Sequence, residues 1–546
     1  MRSADEASGD LPWPAIAAIV AAAALIHPLP FFLDDALFYP QIAFHIVRDG
    51  QSTFNGVTAT NGYHPLWMLF NIATMWVSGL DKMLDLRILV GVEIAILAAA
   101  LYFANRLMGR LQLRSHALGL SLLVLMTCTG LFGLETHLSL LMILLWENLL
   151  IECRDRDQTR NWALLGLASA GVCLARLDNI FLLVPGVMLA ATTVPRLVRK
   201  GGLAAAVASP FVLPYLILNE VQFGHLVPIS GAIKSGFPHP GFHPDFLGNF
   251  GGAMAIVAMV GFLVSFGSGL SARTTMMLQV NSAGTLLHAA YVVVFSIDPT
   301  TRSFWYYTVG IVNCALVMNV LASGSLRRVR ATPARDLAIA ALSGVMLLMA
   351  TSRAYLKAFG DNVNFFNPSW IYRFDPERPG FQFMVADWIS RNLPAGSRII
   401  AVDFPGALAY RTNSSIIALD GLTNDFAYDR ELSGQGIANF VARCGVDYYF
   451  GPRAADGERV VYGMTLTHGG ADFQSVAVFA PVSHTMSGSL EFDRDAMLVD
   501  VRAELGETGH GNLAVWKIDH AKSVLPTTSA SPTSEPPTDA YPCPGS

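Results

Sequence analysis

The sequence has few charged side chains for its length. Asp, Glu, Lys and Arg make up 14% of the 546 residues, whereas about 25% is usual in soluble globular proteins. Hydrophobic residues make up 53%, and the mean hydropathy is +0.44. The net charge of −5 also lacks the basic excess of nucleic-acid-binding proteins. These shortages argue against a soluble enzyme and against a nucleic-acid partner, and they indicate an integral membrane protein.

Several common site motifs are also missing. The six cysteines show neither metal-ligand nor disulfide spacing, and Cys128, Cys173 and Cys314 lie in apolar runs that predict buried thiols. There is no GxxxxGK[ST] loop, and no GxGxxG between a strand and a helix. A soluble nucleotide-sugar donor is therefore disfavoured. The N-terminal MRSADEASGD has no basic region, so the apolar run after it is predicted to be an anchor rather than a cleaved signal.

What the sequence does contain is a series of long apolar runs. About 17–25 residues are needed to cross a bilayer, and eleven runs qualify, near 13–32, 86–106, 116–132, 136–151, 161–178, 179–195, 201–219, 248–267, 274–296, 304–324 and 336–354. A further stretch, 64–80, is shorter and interrupted by polar residues. Residues 1–354 are therefore predicted to form a polytopic α-helical membrane domain. Residues 355–520 have normal polarity and mixed strand and helix patterns, which predicts a soluble α/β-type domain, and the Pro/Ser/Thr-rich residues 521–546 are predicted to be disordered.

The distribution of Lys and Arg predicts the topology. Fourteen of these residues fall in five loops, at 106–116, 152–160, 196–200, 271–274 and 325–335, and three fall in the loops between them. Cytoplasmic loops are enriched in Lys and Arg, and all five loops are cytoplasmic only if 64–80 dips into the membrane without crossing it. The prediction is eleven spanning helices, a cytoplasmic N-terminus and a C-terminal domain on the outer side.

Unusual polar residues gather on the predicted outer face. They are Asp34, Asp35, Asn61, His64, Glu135, Arg176, Asp178, Lys234 and Arg302. An ionisable residue at the edge of a membrane helix is a functional candidate by default. Each also has a structural interpretation: the tandem acids and Glu135 as helix caps, Arg176 and Asp178 as an ion pair, Lys234 as a snorkelling lysine, His64 as a loop hydrogen-bonding residue, and Arg302 as part of an aromatic belt with Tyr306 and Tyr307.

This set of side chains suits one reaction class in particular. A carboxylate can act as general base toward an incoming hydroxyl, and a second carboxylate can raise the pKa of the first or hold a cation or the acceptor. Basic residues from other loops can hold a phosphate. A hydroxyl acceptor meeting a sugar on a lipid phosphate would use all of these groups.

The motifs, taken in order, resemble those of the polytopic GT-C glycosyltransferases, which use polyprenyl-phosphate sugars. The resembling segments are LDD at 33–35, FNGVTATNGYHPLW at 54–67, GLETHLSLL at 133–141, CLARLDN at 173–179, FGHLVPISGAIK at 223–234 and LDGLTND at 419–425. Leu177 stands where many members have proline. The chain resembles in particular the actinobacterial cell-wall arabinofuranosyltransferases, which take arabinofuranose from decaprenyl-phosphate arabinose.

The resemblance implies a role for each candidate residue. One of the tandem acids would be the general base, with Asp34 preferred, and Asp35 would position the acceptor, a divalent cation or the base itself. Lys234, Arg176 and Arg302 would bind the donor phosphate. Asn61, His64, Glu135 and Asp178 would line the sugar or acceptor pocket. The enzyme would lie in the bacterial inner (plasma) membrane, with a glycan, lipid or protein hydroxyl as acceptor; the sugar stays open, and no cofactor other than a divalent cation is implied.

Two other functions compete with this one. A transporter or lipid flippase also suits many helices, but its substrate site would lie near the membrane midplane, and here the polar groups cluster on the outer side. A non-catalytic scaffold that binds a partner through its outer domain leaves the tandem acids unexplained.

Overall fold

The computed structural model describes most of residues 1–354, called the membrane part below, and shorter segments of the C-terminal region, residues 355–546. The described residues are 22, 24–26, 28–113, 117–127, 132–193, 197–243, 250–266, 270–296, 304–328, 340–346, 361–362, 372–373, 381–401, 404–419, 421–425, 427–428, 440–452, 459–463, 489–493, 497–500, 513–518 and 543. Most of the predicted spans 13–32 and 336–354, all but one residue of the tail 521–546, and Arg302 lie outside them.

Twelve helices follow one another through the described residues up to 328. They are α1 Phe38–Asp49, α2 Pro65–Val77, α3 Lys82–Arg110, α4 Ala117–Thr127, α5 Thr136–Asp155, α6 Thr159–Ala175, α7 Ile180–Thr193, α8 Leu197–Phe223, α9 Ile229–Ile233, α10 Phe250–Ser265, α11 Ala272–Phe295 and α12 Thr308–Arg328. Each predicted span between 86 and 324 overlaps one of them.

Four of these helices are long and apolar enough to cross a membrane, namely α3, α5, the Lys200–Phe223 part of α8, and α11. Shorter apolar helices lie at Pro65–Val77, Leu177–Met188, Phe250–Ser265 and Thr308–Ser323. The protein is thus a helical membrane protein, and the total of eleven spans stays a prediction. Helix α2, with 13 residues, is about 20 Å long at 1.5 Å per residue. It is shorter than the hydrocarbon core of roughly 30 Å, as a dipping segment would be.

Local sequence signals explain where several helices begin. Asp81 caps α3, its carboxylate accepting from the backbone N–H groups of Met83 and Leu84 at 2.9 and 3.0 Å. Ser271 caps α11 through the N–H of Thr274 at 3.2 Å. Helix α2 starts with Pro65, whose missing N–H has no cost at the first helical position.

Small and polar residues pack the helices together. A Cβ on Gly166 of α6 would lie 2.3 Å from the carbonyl oxygen of Ala204 in α8, so only glycine allows these two backbones to approach so closely. The Asn319 side chain of α12 accepts from the N–H of Gly119 in α4 at 3.1 Å. Hydrogen bonds of this kind satisfy polar groups where lipid and apolar side chains offer no partner.

In the C-terminal region, the structure gives the bounds of nine short strands and of two further helices. The strands are β1 Asp361–Asn362, β2 Tyr372–Arg373, β3 Arg398–Ala401, β4 Ser415–Ala418, β5 Tyr448–Pro452, β6 Arg459–Gly463, β7 Ser489–Asp493, β8 Met497–Asp500 and β9 Leu513–Lys517, and the helices are α13 Phe381–Asn392 and α14 Pro405–Arg411. Five strands form one sheet in the order β4-β3-β5-β9-β8, with β3 parallel to β4 and β5, and β9 antiparallel to its neighbours. The described residues of this region thus contain both strands and helices, and a separate soluble α/β-type domain at 355–520 stays a prediction.

Two chain segments leave the same edge of this sheet. Helix α14 follows the carboxyl end of β3, and residues 419–425 follow the carboxyl end of β4. Since β3 and β4 are parallel, both segments start at one edge, and both contact the membrane part of the chain, as described below.

The spacing of the cysteines did not indicate a disulfide, but the fold contains one. Cys444 and Cys543 form a disulfide across 99 residues, and Cys543 is buried. A pair so far apart has no spacing signal, because only the fold brings the two thiols together. The disulfide ties the end of the predicted disordered tail to the C-terminal region.

Candidate active site

The segment before α5 is held in place by two other helices. The N–H of Gly133 donates to both carboxylate oxygens of Glu93 in α3, at 2.9 and 3.0 Å. The indole N–H of Trp67 in α2 donates to the carbonyl oxygen of Gly133 at 2.8 Å. Glu93 and Trp67 are fully buried. The Gly-Leu-Glu motif is therefore a fixed turn that presents Glu135 at the start of α5.

Gly133 is required at this turn for two reasons. Its φ of +86° lies in the left-handed region, which L side chains rarely adopt. A Cβ at this position would also lie 2.5 Å from the ring of Phe32 and 2.8 Å from the Cβ of Ala36. The turn thus packs directly against residues 33–64, named the first outer loop after their predicted side of the membrane, which carry the tandem acids.

We expect Gly133→Ala to lower the free energy of unfolding by about 1–3 kcal/mol through overpacking and to reduce activity as well, because the turn must move away from the first loop. Thermal unfolding in detergent and an activity assay measure both effects. Gly202→Ala in α8 is the matched control, since no atom lies within 4 Å of the new Cβ. Equal unfolding temperatures for the two variants would contradict the packing described here.

Glu135, Arg176 and Asp178 form an ion cluster where α6 ends and where α5 and α7 begin. Glu135 accepts from the Tyr39 hydroxyl at 2.8 Å and from the Arg176 guanidinium. Arg176 also binds Asp178 through two parallel hydrogen bonds of 2.9 and 2.8 Å. Arg176 is only 2% exposed, so both of its carboxylate partners compensate a charge that water does not reach.

Two histidines border the cluster. The Nε2 atom of His64 lies 3.8 Å from Glu135 Oε1, and the Nε2 atom of His288 lies 3.9 Å from Asp178 Oδ2. Burial lowers the pKa of His64, and the carboxylate of Glu135 opposes this effect. Burial alone would raise the pKa of Glu135, but Arg176 and then His64 outweigh it, so the pKa of this carboxyl lies below its usual range. Glu135 therefore stays ionised beside Arg176.

The ring of Tyr306 lies close to both Lys234 and Arg176. The Lys234 ammonium donates to the Tyr306 hydroxyl at 2.5 Å and lies 5.1 Å from the ring centroid. The Arg176 guanidinium lies 4.9 Å from the same centroid. The Tyr306 hydroxyl thus fixes the position of the Lys234 ammonium by a hydrogen bond, while the ring attracts the Arg176 guanidinium.

Asp35 belongs to the same site. Burial raises the pKa of its carboxyl, Lys234 opposes the rise, and Glu135 adds to it. Asp35 is thus a half-buried carboxyl with a cation and an anion among its charged neighbours. Perturbed carboxyl groups in such surroundings are candidates for proton transfer.

Asp34 has a different environment. Its Oδ1 and Oδ2 atoms accept from the backbone N–H groups of Ala407 and Gly406, at 2.7 and 3.2 Å. The expected cap on the following segment is absent, because Asp34 makes no side-chain cap bond to residues 35–37. Both carboxylate oxygens of Asp34 thus accept from the backbone of a segment far away in the sequence. Among the described residues, no group of three His, Cys, Asp or Glu side chains fits a metal ion.

Asn61 fixes a loop. Its amide nitrogen donates to Asn219 Oδ1 at 3.2 Å, and its amide oxygen accepts from the N–H of Ile229 at 3.0 Å. These bonds join the first outer loop to the end of α8 and to α9, which leads into Lys234. Asn61 therefore contributes to the site by holding the loop that carries the lysine.

The segment 421–425 packs against the first outer loop. The Thr60 hydroxyl donates to the carbonyl oxygen of Asn424 at 3.1 Å, and a Cβ on Gly62 would lie 2.1 Å from the carbonyl oxygen of Leu422. The LDGLTND motif thus reaches the membrane part of the chain, close to the residues of the site.

The sequence-predicted residues divide into three groups. Six converge: Asp35, His64, Glu135, Arg176, Asp178 and Lys234. The side chains of Asp34 and Asn61 form hydrogen bonds with other segments. Arg302 lies outside the described residues. Sequence reasoning named Tyr306 only as part of an aromatic belt, and it missed Tyr39 and His288, because a single aromatic or histidine in an apolar helix gives no signal until neighbouring helices are known.

No family model matches the sequence, and no curated protein matches it. Solved structures do. An oligosaccharyltransferase from Archaeoglobus fulgidus, in complex with zinc and sulfate, aligns over 85% of this chain and 69% of its own, with a TM-score of 0.51 at 12% identity. The arabinofuranosyltransferase AftD from mycobacteria aligns over 92% of this chain at 14% identity with a TM-score of 0.40, and this chain spans about two fifths of it (41%). The first likeness shows the fold: the chain has the GT-C-like fold that its motifs implied.

Proposed function

We propose that this protein is a membrane glycosyltransferase that moves a sugar from a polyprenyl-phosphate donor to a hydroxyl acceptor on the outer face of the membrane. The observation that carries the proposal is the convergence of Asp35, Lys234 and the Arg176 ion cluster at one end of the helices. The GT-C-like fold supports it.

Asp35 is the proposed general base. It takes the proton of the acceptor hydroxyl as the acceptor oxygen bonds to the anomeric carbon. The bond between this carbon and the phosphate oxygen breaks, and its electron pair stays on the phosphate. The raised pKa of Asp35 suits this task, because a buried carboxylate accepts a proton more readily than an exposed one.

Lys234 is the proposed phosphate-binding residue. Its ammonium, oriented by Tyr306, would stabilise the negative charge that grows on the departing phosphate. Arg176 is less suited to this task than the sequence implied, since Glu135 and Asp178 already neutralise it. We assign to Arg176 the task of orienting these two carboxylates toward the sugar.

We expect Lys234→Gln to lower kcat/KM for the donor by about 10²–10³-fold, the usual cost of removing one group that stabilises transition-state charge. Steady-state kinetics with varied donor measure it. Lys200→Gln is the matched control, because Lys200 pairs with Asp157 at 2.6 Å outside the ion cluster. If both lysine variants keep the wild-type kcat/KM, Lys234 does not bind the phosphate.

The orientation of the protein is part of the proposal. The Cys444–Cys543 disulfide supports an extracytoplasmic C-terminal domain, since disulfides persist in oxidising compartments. The five basic loops would then lie in the cytoplasm. Labelling of a cysteine introduced at Arg110 by a membrane-impermeant reagent would contradict this orientation.

Arabinofuranose is the proposed sugar, and only the motif resemblance supports it. The test is sugar transfer by the purified protein from a panel of polyprenyl-phosphate sugars, with product formation as the readout. Transfer from one donor identifies the sugar. Absence of transfer from every donor, together with transbilayer movement of a lipid in proteoliposomes, would favour the competing flippase function.

A further inference from the structure

Helix α14 of the C-terminal region lies against the first outer loop. The backbone N–H groups of its first turn are bound by a side chain of that loop. Pro405 carries no N–H, and the first intrahelical bond runs from the N–H of Leu408 to the carbonyl of Phe404 at 3.1 Å. The two remaining N–H groups, of Gly406 and Ala407, both donate to the Asp34 carboxylate. A carboxylate from the membrane part thus completes a helix of the C-terminal region.

The other end of α14 is held by a cation from the membrane part. The Lys82 ammonium donates to the carbonyl oxygen of Tyr410 at 2.7 Å and to Gln41 Oε1 at 3.0 Å. The Tyr410 hydroxyl donates in return to the carbonyl oxygen of Lys82 at 2.6 Å. The carboxylate at the amino end matches the helix dipole, and the Lys82 amine donates to a carbonyl oxygen at the carboxyl end, so both ends of α14 are bound to the membrane part.

The contact is also closely packed at Gly406. A Cβ there would lie 2.2 Å from the carbonyl oxygen of Asp34 and 3.0 Å from the ring of Phe38. The main chain and the side chain of Asp34 therefore both touch α14. Asp35 is the next residue, so a shift of α14 would displace its carboxylate.

We infer that α14, clamped between Asp34 and Lys82, is a positioning element: docking of the C-terminal region sets the orientation of Asp35, and turnover requires the docked state. Asp34 is then a positioning residue rather than the base. The inference rests on the proposed function, because turnover is read as sugar transfer.

The test compares Asp34→Ala, Asp34→Asn and Gly406→Ala with wild type in two measurements. We expect Asp34→Ala and Gly406→Ala each to lower kcat by about 10²-fold, the usual effect of misplacing a catalytic group by about 1 Å, with little change in the KM for the donor. Asp34→Asn keeps one oxygen acceptor and should lose less. Hydrogen exchange at Gly406 and Ala407 should be faster in Asp34→Ala.

Arg411→Gln is the matched control on the same helix. Arg411 is exposed and pairs with Asp387 of α13, away from the clamp, so both measurements should stay at wild-type values. The inference is overturned if exchange rises and kcat does not fall, because docking would then be uncoupled from turnover. It is also overturned if Asp34→Asn loses as much kcat as Asp35→Asn with unchanged exchange, which would make Asp34 part of the chemistry. If wild type transfers no sugar, the proposed function fails, while unchanged exchange in Asp34→Ala would separately disprove the clamp.

Discussion

Replacing Asp35 by asparagine is expected to lower kcat by about 10²–10⁴-fold, the contribution of a positioned general base. Asparagine keeps the shape of the side chain but cannot accept the proton of the acceptor hydroxyl. The KM for the donor should change little. The unfolding temperature should stay equal or rise, because the variant no longer buries an ionisable carboxyl, so the loss cannot be attributed to unfolding.

Asp34→Asn provides the comparison for this prediction, because it changes the adjacent residue in the same way. We expect a clearly smaller loss from it, since an amide oxygen still accepts from the first turn of α14. If Asp35→Asn keeps most of the wild-type kcat while Asp34→Asn loses it, the assignment of the base is reversed.

The pH dependence of wild-type kcat/KM offers an independent check. The base works in its deprotonated form, so the rate should fall as the pH drops through the pKa of Asp35. Burial raises that pKa above 3.8, the value of an unperturbed aspartate. The acid limb should therefore lie at higher pH than an exposed aspartate would give, and it should disappear in the residual activity of Asp35→Asn.

The sequence predicted the helices well because each apolar run is a local property. It also predicted that the tandem acids matter, since two charges at a membrane edge are costly without a use. It could not decide between them. The contact on which our proposal for Asp35 depends joins Asp34 to residues more than 370 positions away, and no sequence pattern near Asp34 indicates α14.

The proposed role of Arg176 also changed because of a contact with a residue that is distant in the sequence. The local motif shows only Arg176 and Asp178, and a cation at a membrane edge suggests a phosphate ligand. The second carboxylate, Glu135, begins another helix and reaches the guanidinium only in the folded chain. Sequence reasoning identified all three residues, whereas the charge balance that sets their roles is a property of the fold.

Arg176→Met should be the most destabilising single substitution in the ion cluster. It leaves two carboxylates without their cation, the buried one of Glu135 and the half-buried one of Asp178, and the loss of a buried partner typically costs about 3–5 kcal/mol. The methionine fills much of the volume, so the missing charge rather than a cavity causes the effect. The apparent unfolding temperature in detergent at a fixed scan rate measures it.

Two further variants separate the charge effect from a general effect of removing arginine. Arg273→Gln breaks an ion pair with Asp155 that is exposed on both sides, so we expect a loss of at most about 1 kcal/mol. Adding Glu135→Gln to Arg176→Met removes one of the stranded charges and should restore part of the lost stability. If the double variant is no more stable than Arg176→Met, or if Arg176→Met unfolds at the wild-type temperature, the carboxylates do not depend on Arg176, and this residue becomes available again as a ligand for the donor phosphate.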